Sequence, residues 1–249
     1  MARGRSLAPV RPEHENRLMP PREALSLAHA RTALTAMHGR PAPPVATDVF
    51  EAAIWECAAY LVDDTRRAAT FERLRREVGL TPEALLSAPS KKLLAAIGDG
   101  GMLPSHRAEK IRAAARVAVE AGLDVLRRQV HDAPAKARKT LKKFPGIADP
   151  GADKLLLLSR AGRSLAPDSN ALRVLLRLGY GEEAKDYGRS YRSVAAAVAD
   201  ELPEEYDALI ELHQLLRLHG QVTCTRRAPD CARCSMASMC RHYDANRHP

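Results

Sequence analysis

The stretch "CTRRAPDCARCSMASMC", residues 224 to 240, contains four of the five cysteines in the 249-residue chain. Cys224, Cys231, Cys234 and Cys240 are separated by six, two and five residues. In a reducing compartment such a cluster more often binds a metal than forms disulfides. Four thiolates can hold zinc or a [4Fe–4S] cluster. Structural zinc usually takes two C-x-x-C pairs, whereas only Cys231 and Cys234 form such a pair, so the spacing favours the larger cluster and leaves zinc as the alternative.

The composition indicates a helical globular protein with a basic surface. Aromatic residues make up 4% of the chain, so the core is expected to be aliphatic. Residues 1 to 21 are rich in Pro and Arg without periodicity, which predicts a disordered tail and no secretory signal. No apolar run approaches the roughly 18 residues of a membrane span, so we expect a cytoplasmic protein with no membrane partner. The net charge of +9 suggests a polyanionic partner, although a merely basic protein is an equal alternative on charge alone.

Helical periodicity recurs along the chain, and no stretch alternates as a strand does. The pattern predicts an all-α protein of about ten helices. Thr47 or Asp48 is expected to cap a nearly apolar helix, in which Cys57 is a core residue. Ser105 is expected to cap a long helix that follows the glycine-rich loop at 98 to 105.

The stretch "LKKFPGIADPGADKLLLLS" (141–159) reads as helix, tight turn, helix. Pro145 ends the first helix, and Gly146 permits a close approach of the backbone to a ligand. Amides at the start of the second helix form a phosphate site, with Lys142 and Lys143 just upstream. An ordinary helical hairpin is the alternative. Downstream, Asp168 stands at the start of another helix, where by itself it would be a helix cap.

The order of these segments resembles the endonuclease III family of DNA glycosylases, in the helix-hairpin-helix superfamily. The family hairpin L-P-G-[VI]-G-x-[KSY]-T-A corresponds to "FPGIADPGA", and the aspartate motif V-D-T-H-[VI]-x-R-V corresponds to "PDSNALRV". The family tail H-x-x-L-x-x-x-G-x-x-x-C, with the same cysteine gaps, matches "HQLLRLHGQVTC" and the residues that follow it. The resemblance extends from about residue 22 to 242, and its tail is the most specific part.

The resemblance implies a [4Fe–4S] cluster on the four cysteines, with a structural role. It implies DNA contacts at the hairpin, through the residues Pro145, Gly146, Ile147, Ala148 and Gly151. Arg226 and Arg227, in the loop between the first two cysteines, are expected to contact phosphates unless they are simply solvated.

The resemblance also implies that Asp168 is catalytic. Cleavage of an N-glycosidic bond builds positive charge on the deoxyribose, which a carboxylate stabilises while it orients or deprotonates a water. Family members that also cleave the strand use a hairpin lysine as a nucleophile. Pro150 stands at that position here. Lys154, one turn later, is the nearest amine, and its ordinary interpretation is a solvated helix lysine.

Two departures from the family pattern, and one loop that matches it, bear on the substrate. Ala148 replaces the second hairpin glycine. The family glutamine that probes the gap left by a flipped base falls at Ala59 or Tyr60, and Tyr60 is expected either to stack on a base or to be buried. Met102 or Leu103 is expected to be the minor-groove wedge, with a flexible connector as the alternative.

The sequence therefore predicts two helical lobes around a DNA-binding cleft. One is a bundle at 43–162 that contains the hairpin, and the other joins 22–42 to 163–249 with the cluster at 224–240. The predicted function is that of a monofunctional base-excision glycosylase, acting as a monomer in the nucleoid on double-stranded DNA with a damaged or mismatched base. A bifunctional glycosylase and abasic-site lyase using Lys154 is the first alternative. A non-catalytic DNA-binding iron–sulfur protein is the second, and a zinc-bound structural protein is the most distant.

Overall fold

The computed structural model describes residues 26–246, and the predicted tail at 1–21 lies outside this range. The described part contains α-helices and short 3₁₀ turns with no β-strand, which confirms the all-α prediction. A single bridge pairs Tyr60 with Gly101. There are thirteen α-helices in this part where the sequence predicted about ten: α1 (Leu27–His38), α2 (Val49–Ala58), α3 (Asp64–Glu77), α4 (Pro82–Ser87), α5 (Ser90–Ile97), α6 (Pro104–Ala121), α7 (Leu123–Asp132), α8 (Pro134–Leu141), α9 (Asp149–Leu158), α10 (Ser169–Leu178), α11 (Tyr187–Ala197), α12 (Tyr206–Val222) and α13 (Arg241–Ala245).

Side-chain caps explain where several helices begin. The Asp48 carboxylate accepts hydrogen bonds from the amides of Phe50 and Glu51, so Asp48 rather than Thr47 caps α2. The prediction that Ser105 caps α6 is wrong. Helix α6 begins at Pro104, because a proline at the first helical position supplies a suitable φ and has no amide to leave unpaired.

Helix α2 is the centre of the first group of helices and packs against α3, α6, α7 and α9. Its side chains Phe50 and Ile54 are fully buried, as the nearly apolar sequence predicted. Cys57 is buried in the same core, and burial raises the pKa of its thiol to about 12. This thiol is therefore a core group and stands apart from the other four.

A second group of helices forms around α12, which packs against α1 and α10. The amide of Leu27, at the start of α1, donates to the Glu201 carboxylate, so the first described helix is tied to the C-terminal half of the chain. Helix α13 packs on α10. This packing favours the division into a bundle at 43–162 and a lobe of 22–42 plus 163–249, which stays a prediction.

Arg107 joins two loops that lie side by side. Its guanidinium is almost completely buried. It donates to backbone carbonyls on both loops and at the end of α5, those of Ala58, Ile97, Gly98, Gly101 and Met102. Leu61 and Leu103, in the two loops, both have a φ of +56°, a conformation that is strained for leucine. The buried cation thus holds two strained loops together.

Replacing Arg107 by Met should lower the free energy of unfolding by at least about 3 kcal/mol, because several buried carbonyls would lose a charged donor. Arg116→Met, at an exposed position on the same helix, is the matched control and should change stability by less than about 0.5 kcal/mol. Urea unfolding followed by circular dichroism measures both. Equal losses in the two variants would contradict the assigned role.

Candidate functional site

The hairpin between α8 and α9 exposes backbone amides. Gly146 has a φ of +81°, which a glycine adopts without strain. Ile147 is buried, and its amide donates to the Phe144 carbonyl, so it shapes the turn. Ala148 is the residue before α9 and has no side-chain atom that caps the helix. The start of α9 thus has no side-chain cap, which is compatible with the phosphate site, and that site stays a prediction.

Lys110 of α6 adds a cation to this turn. Its Nζ lies 3.6 Å from the position that a Cβ on Gly146 would occupy. Because the ammonium stands beside the glycine, an anion at the turn would meet both amides and a positive charge. This contact could not be predicted from local sequence patterns, because Lys110 lies 36 positions before Gly146.

The two lysines predicted to assist the hairpin differ in their surroundings. Lys143 is exposed. Lys142 is also exposed, but its Nζ lies 2.7 Å from the carboxylate of Asp149, which Arg138 contacts as well. The hydrogen bond from Lys142 is the main cause that lowers the pKa of Asp149. Part of the positive charge upstream of the turn is thus already paired inside the hairpin.

Asp168 caps α10 through Oδ1, while its Oδ2 makes only longer contacts. Its Oδ1 accepts the amides of Asn170 and Ala171 at 2.9 Å each, which fixes the direction of the carboxylate. Its Oδ2 lies 3.4 Å from both the Asn170 side-chain amide and the Arg217 guanidinium. The side chain is 30% exposed. The cap and a reactive role are therefore compatible, since each uses a different oxygen.

A cluster of charged side chains extends from Asp168 into the first group of helices. Arg217 of α12 also pairs with Asp64 at the start of α3, with Nη2 and Oδ1 2.8 Å apart. Nearby, Lys154 donates to the Glu56 carboxylate at 2.6 Å. Burial would raise the pKa of Glu56, but Lys154, Arg67 and Arg217 together lower it below its ordinary value. Glu56 is therefore ionised at neutral pH.

The interpretation of Lys154 as a solvated helix lysine is wrong. Only 19% of its side chain is exposed, because the side chain turns inward to pair with Glu56 of α2. Pro150, where the family has its lysine, is half-buried in the first turn of the same helix. The hairpin thus brings no free amine to the cluster through these two positions.

His213 and Tyr187 flank this cluster. His213 is buried with its Nδ1 3.0 Å from the Leu165 carbonyl, and burial, with the charge of Lys154, lowers its pKa to about 4. It is therefore neutral at physiological pH. Tyr187 is 44% exposed at the start of α11, and burial together with the Asp168 charge raises its pKa. An aromatic face thus lies within electrostatic range of the carboxylate.

The two loops joined by Arg107, which we call the paired loops, present four exposed apolar side chains. Tyr60 and Leu61 are 49% and 70% exposed on one loop, and Met102 and Leu103 are 58% and 55% exposed on the other. The alternative of a buried Tyr60 is therefore wrong. The alternative of a flexible connector at 102–103 is also disfavoured, since Arg107 binds the carbonyls of this loop. Exposed apolar groups on a fixed support suit insertion between bases.

The four tail cysteines line one cavity. Arg177 of α10 holds its rim, with Nη1 3.2 Å from the sulfur of Cys224 and its carbonyl 3.4 Å from the sulfur of Cys240. Within residues 26–246, no group of three or more His, Cys, Asp or Glu side chains is arranged to hold a single metal ion. Four thiols around a common cavity supply the donor set for a metal centre, either zinc or a [4Fe–4S] cluster. Arg226 and Arg227 are exposed beside them.

Comparison with known proteins agrees with this fold. Endonuclease III of Sulfolobus acidocaldarius is 29% identical over 182 residues, which cover 72% of this chain and 76% of that protein. Endonuclease III of Treponema pallidum is 26% identical, covering 66% of this chain and 70% of that protein. No family model matches the chain.

Two solved structures share the fold. One is a trapped endonuclease III–DNA covalent intermediate, with a TM-score of 0.66 and 20% identity over 89% of this chain and 98% of that one. The other is a thermostable thymine-DNA glycosylase, with a TM-score of 0.68 and 18% identity over 88% of this chain and 97% of that one. Sequence similarity to the curated endonuclease III proteins, together with this fold, supports a DNA glycosylase of the helix-hairpin-helix superfamily. Within that superfamily the chain is similar to the endonuclease III proteins, and Pro150 stands where the hairpin lysine of the family is expected.

Sequence reasoning missed several residues that the structure brings to the site. Glu56, Asp64 and Arg217 complete the charged cluster, and Leu61 adds to the paired loops. An acidic residue within the apolar α2 was the available signal for Glu56. Asp64 and Arg217 look like ordinary surface positions in the sequence, whereas Leu61 lies in an apolar run that predicts a core helix. Along the described part of the chain, no helix is long and apolar enough to span a membrane.

Lys110→Gln should weaken binding to undamaged duplex DNA about equally for all sequences and should reduce the slope of log K against log salt by about one. The reason is that the ammonium beside Gly146 would no longer replace a counterion on a phosphate. Lys136→Gln, at an exposed position further from the turn, is the matched control. Fluorescence anisotropy at several salt concentrations measures the slope, and an unchanged slope for Lys110→Gln would contradict the hairpin contact.

Proposed function

We propose that the protein is a monofunctional DNA glycosylase, which hydrolyses the N-glycosidic bond of a damaged or mismatched base and leaves an abasic site. Its membership of a DNA glycosylase superfamily supports the reaction class. The observation that carries the finer proposal is the Asp168 carboxylate, whose Oδ1 is fixed by two amides while its Oδ2 makes only 3.4 Å contacts, to Asn170 and Arg217. The proposed partner is double-stranded DNA, bound by one copy of the chain in the nucleoid.

In this mechanism the bond between C1′ and the base nitrogen breaks first, and its electron pair leaves with the base. Positive charge develops on the sugar, which the Asp168 carboxylate stabilises by attraction. A water then adds to C1′ and gives its proton to Oδ2 of Asp168, which acts as a general base. Because Oδ1 is held by amides, the carboxylate needs little reorientation to act.

The proposed DNA contacts surround this carboxylate. The hairpin turn, Lys110 and Lys143 bind phosphates, while Tyr60, Leu61, Met102 and Leu103 of the paired loops fill the space that a flipped base leaves. Where the family has a glutamine, this chain presents the apolar side chains of the paired loops. Such side chains fill space without hydrogen bonding, so we propose that the unpaired opposite base is recognised weakly.

The monofunctional assignment follows from the amines. Pro150 offers no nucleophile, and Lys154 is paired with Glu56. A bifunctional glycosylase and lyase that uses Lys154 is the second candidate function. Borohydride traps only a Schiff base, so reduction on glycosylase substrates separates the two candidates.

We further propose that Cys224, Cys231, Cys234 and Cys240 hold a [4Fe–4S] cluster. The donor set fits, since four thiols line a common cavity and Arg177 donates to one of the sulfurs. Such a cluster, when bound, would cross-link the tail and fix its shape. Arg226 and Arg227 would then be held in an exposed loop suited to phosphate contact.

Asp168→Asn should reduce the rate of base release at least about 100-fold, because the carboxylate that stabilises the sugar cation is lost. Asparagine is also a good helix cap, so stability should change by less than about 1 kcal/mol. A panel of lesion-bearing duplexes, with alkali to reveal abasic sites, identifies the substrate and measures the rate. Asp200→Asn, at an exposed position, is the control. Equal rates of base release for Asp168→Asn and the parent would contradict the catalytic role of Asp168, and no base release from either protein would support a non-catalytic DNA-binding protein.

The purified protein should be brown and contain iron and inorganic sulfide in the ratio of a [4Fe–4S] cluster. Cys234→Ser should lose the visible absorbance and most of the iron, because one ligand is removed. Cys57→Ala should keep both, since Cys57 lies in the core and outside the cavity. Stoichiometric zinc without iron in the parent protein would contradict the assignment.

A further inference from the structure

The ion pair between Glu56 and Lys154 connects the hairpin helix α9 to the central helix α2. Lys154 Nζ and Glu56 Oε1 are 2.6 Å apart, and the two side chains are 19% and 30% exposed. Both belong to the charged cluster that contains Asp168, because Arg217 contacts Asp168 and lies close enough to Glu56 to lower its pKa. Lys154 is therefore an amine at the candidate site whose direction is set by an acid on another helix.

The pair affects the chemistry that the amine can perform. A lysine attacks a carbon only as a free base with its lone pair exposed. A carboxylate at hydrogen-bonding distance binds the ammonium and holds Nζ away from other partners. Partial burial strengthens this effect, since the pair is less screened by water. Glu56 is the acceptor of the only hydrogen bond that the described structure shows from the Lys154 ammonium.

From this geometry we propose that Glu56 suppresses an abasic-site lyase activity of Lys154, so that the chain carries a latent lyase nucleophile one helical turn from the usual position. The inference rests on the proposed glycosylase function and goes beyond it. Pro150 alone would explain the absence of the family nucleophile. The ion pair explains why the neighbouring amine does not take its place. Glu56 is thus a positioning residue for the product-forming step.

The suppressed reaction would proceed on the open-chain aldehyde of an abasic site. The Nζ lone pair of unprotonated Lys154 would attack C1′. The carbonyl oxygen would leave as water, with one hydrogen from the amine and one proton from solvent, which gives a protonated Schiff base. Loss of a C2′ proton then expels the 3′ phosphate and breaks the strand. Borohydride instead delivers hydride to C1′ and fixes the adduct as a secondary amine.

The test uses the full-length protein and a duplex with a preformed abasic site, so that base release is not needed. With borohydride present, the parent should give little adduct. Glu56→Gln removes the charge but keeps the shape, and it should increase the adduct at least about tenfold. Peptide mapping should place the adduct on Lys154, and the double variant Glu56→Gln with Lys154→Arg should return to the parent level.

Two further measurements guard against a folding defect in Glu56→Gln. Glu56→Asp keeps the charge with a shorter arm, and it should give an intermediate adduct yield. Amine acylation of the parent, read by mass spectrometry, should modify Lys154 at least about tenfold more slowly than the exposed Lys136 and Lys139, because an amine that is turned inward and bound to a carboxylate is a poor nucleophile.

The outcomes separate this inference from the proposed function. The suppression is overturned if folded Glu56 variants form no extra adduct, if the adduct lies on another residue, or if Lys154 is acylated as fast as the exposed lysines. Strong trapping by the parent through Lys154 would instead refute the monofunctional assignment. Failure of the parent to release any base while Glu56→Gln still traps on Lys154 would refute the glycosylase proposal alone.

Discussion

The guanidinium of Arg217 is the contact on which the arrangement of the candidate site depends. It is carried by α12, pairs with Asp64 at the start of α3, and lies 3.4 Å from Oδ2 of Asp168. One cation between two carboxylates thus joins the two proposed lobes, which also meet where the Tyr191 hydroxyl donates to Asp153. A positive charge here keeps Asp168 oriented in the absence of DNA, and it is one of the cations that keep Glu56 ionised. The position of the carboxylate is therefore a property of the packed helices as well as of the α10 cap.

Several arginine side chains bind groups inside the protein and stabilise its structure. Arg107, Arg163 and Arg173 donate mainly to backbone carbonyls, and Arg177 donates to carbonyls and to a cysteine sulfur. A guanidinium suits this role because it presents several donors in a fixed plane and stays charged when buried. The net charge of +9 consequently overstates the surface that is available to a polyanion. DNA binding has to rest on fewer cations, such as Lys110 beside Gly146 and the exposed Lys143.

The sequence predicted the parts of the structure that depend on local patterns. The hairpin turn at Gly146, the apolar α2, the Asp168 cap and the grouping of the four cysteines each follow from a few neighbouring residues. The start of α6 was predicted wrongly at Ser105, because Pro104 already forms the first residue of the helix. The solvated interpretation of Lys154 failed because its partner Glu56 is 98 positions away. Arg217 and Lys110 were missed for the same physical reason, since their partners come from distant helices and leave no local signal.

The central claim, a carboxylate held ready for a sugar cation, is tested most directly by the affinity for two abasic-site analogues in the same duplex. One carries a cationic pyrrolidine in place of the sugar ring, and the other a neutral tetrahydrofuran of similar shape. The account predicts that the parent protein binds the cationic duplex at least about tenfold more tightly, because the charge mimics the transition state that Asp168 faces. Equal affinity for the two duplexes would contradict it.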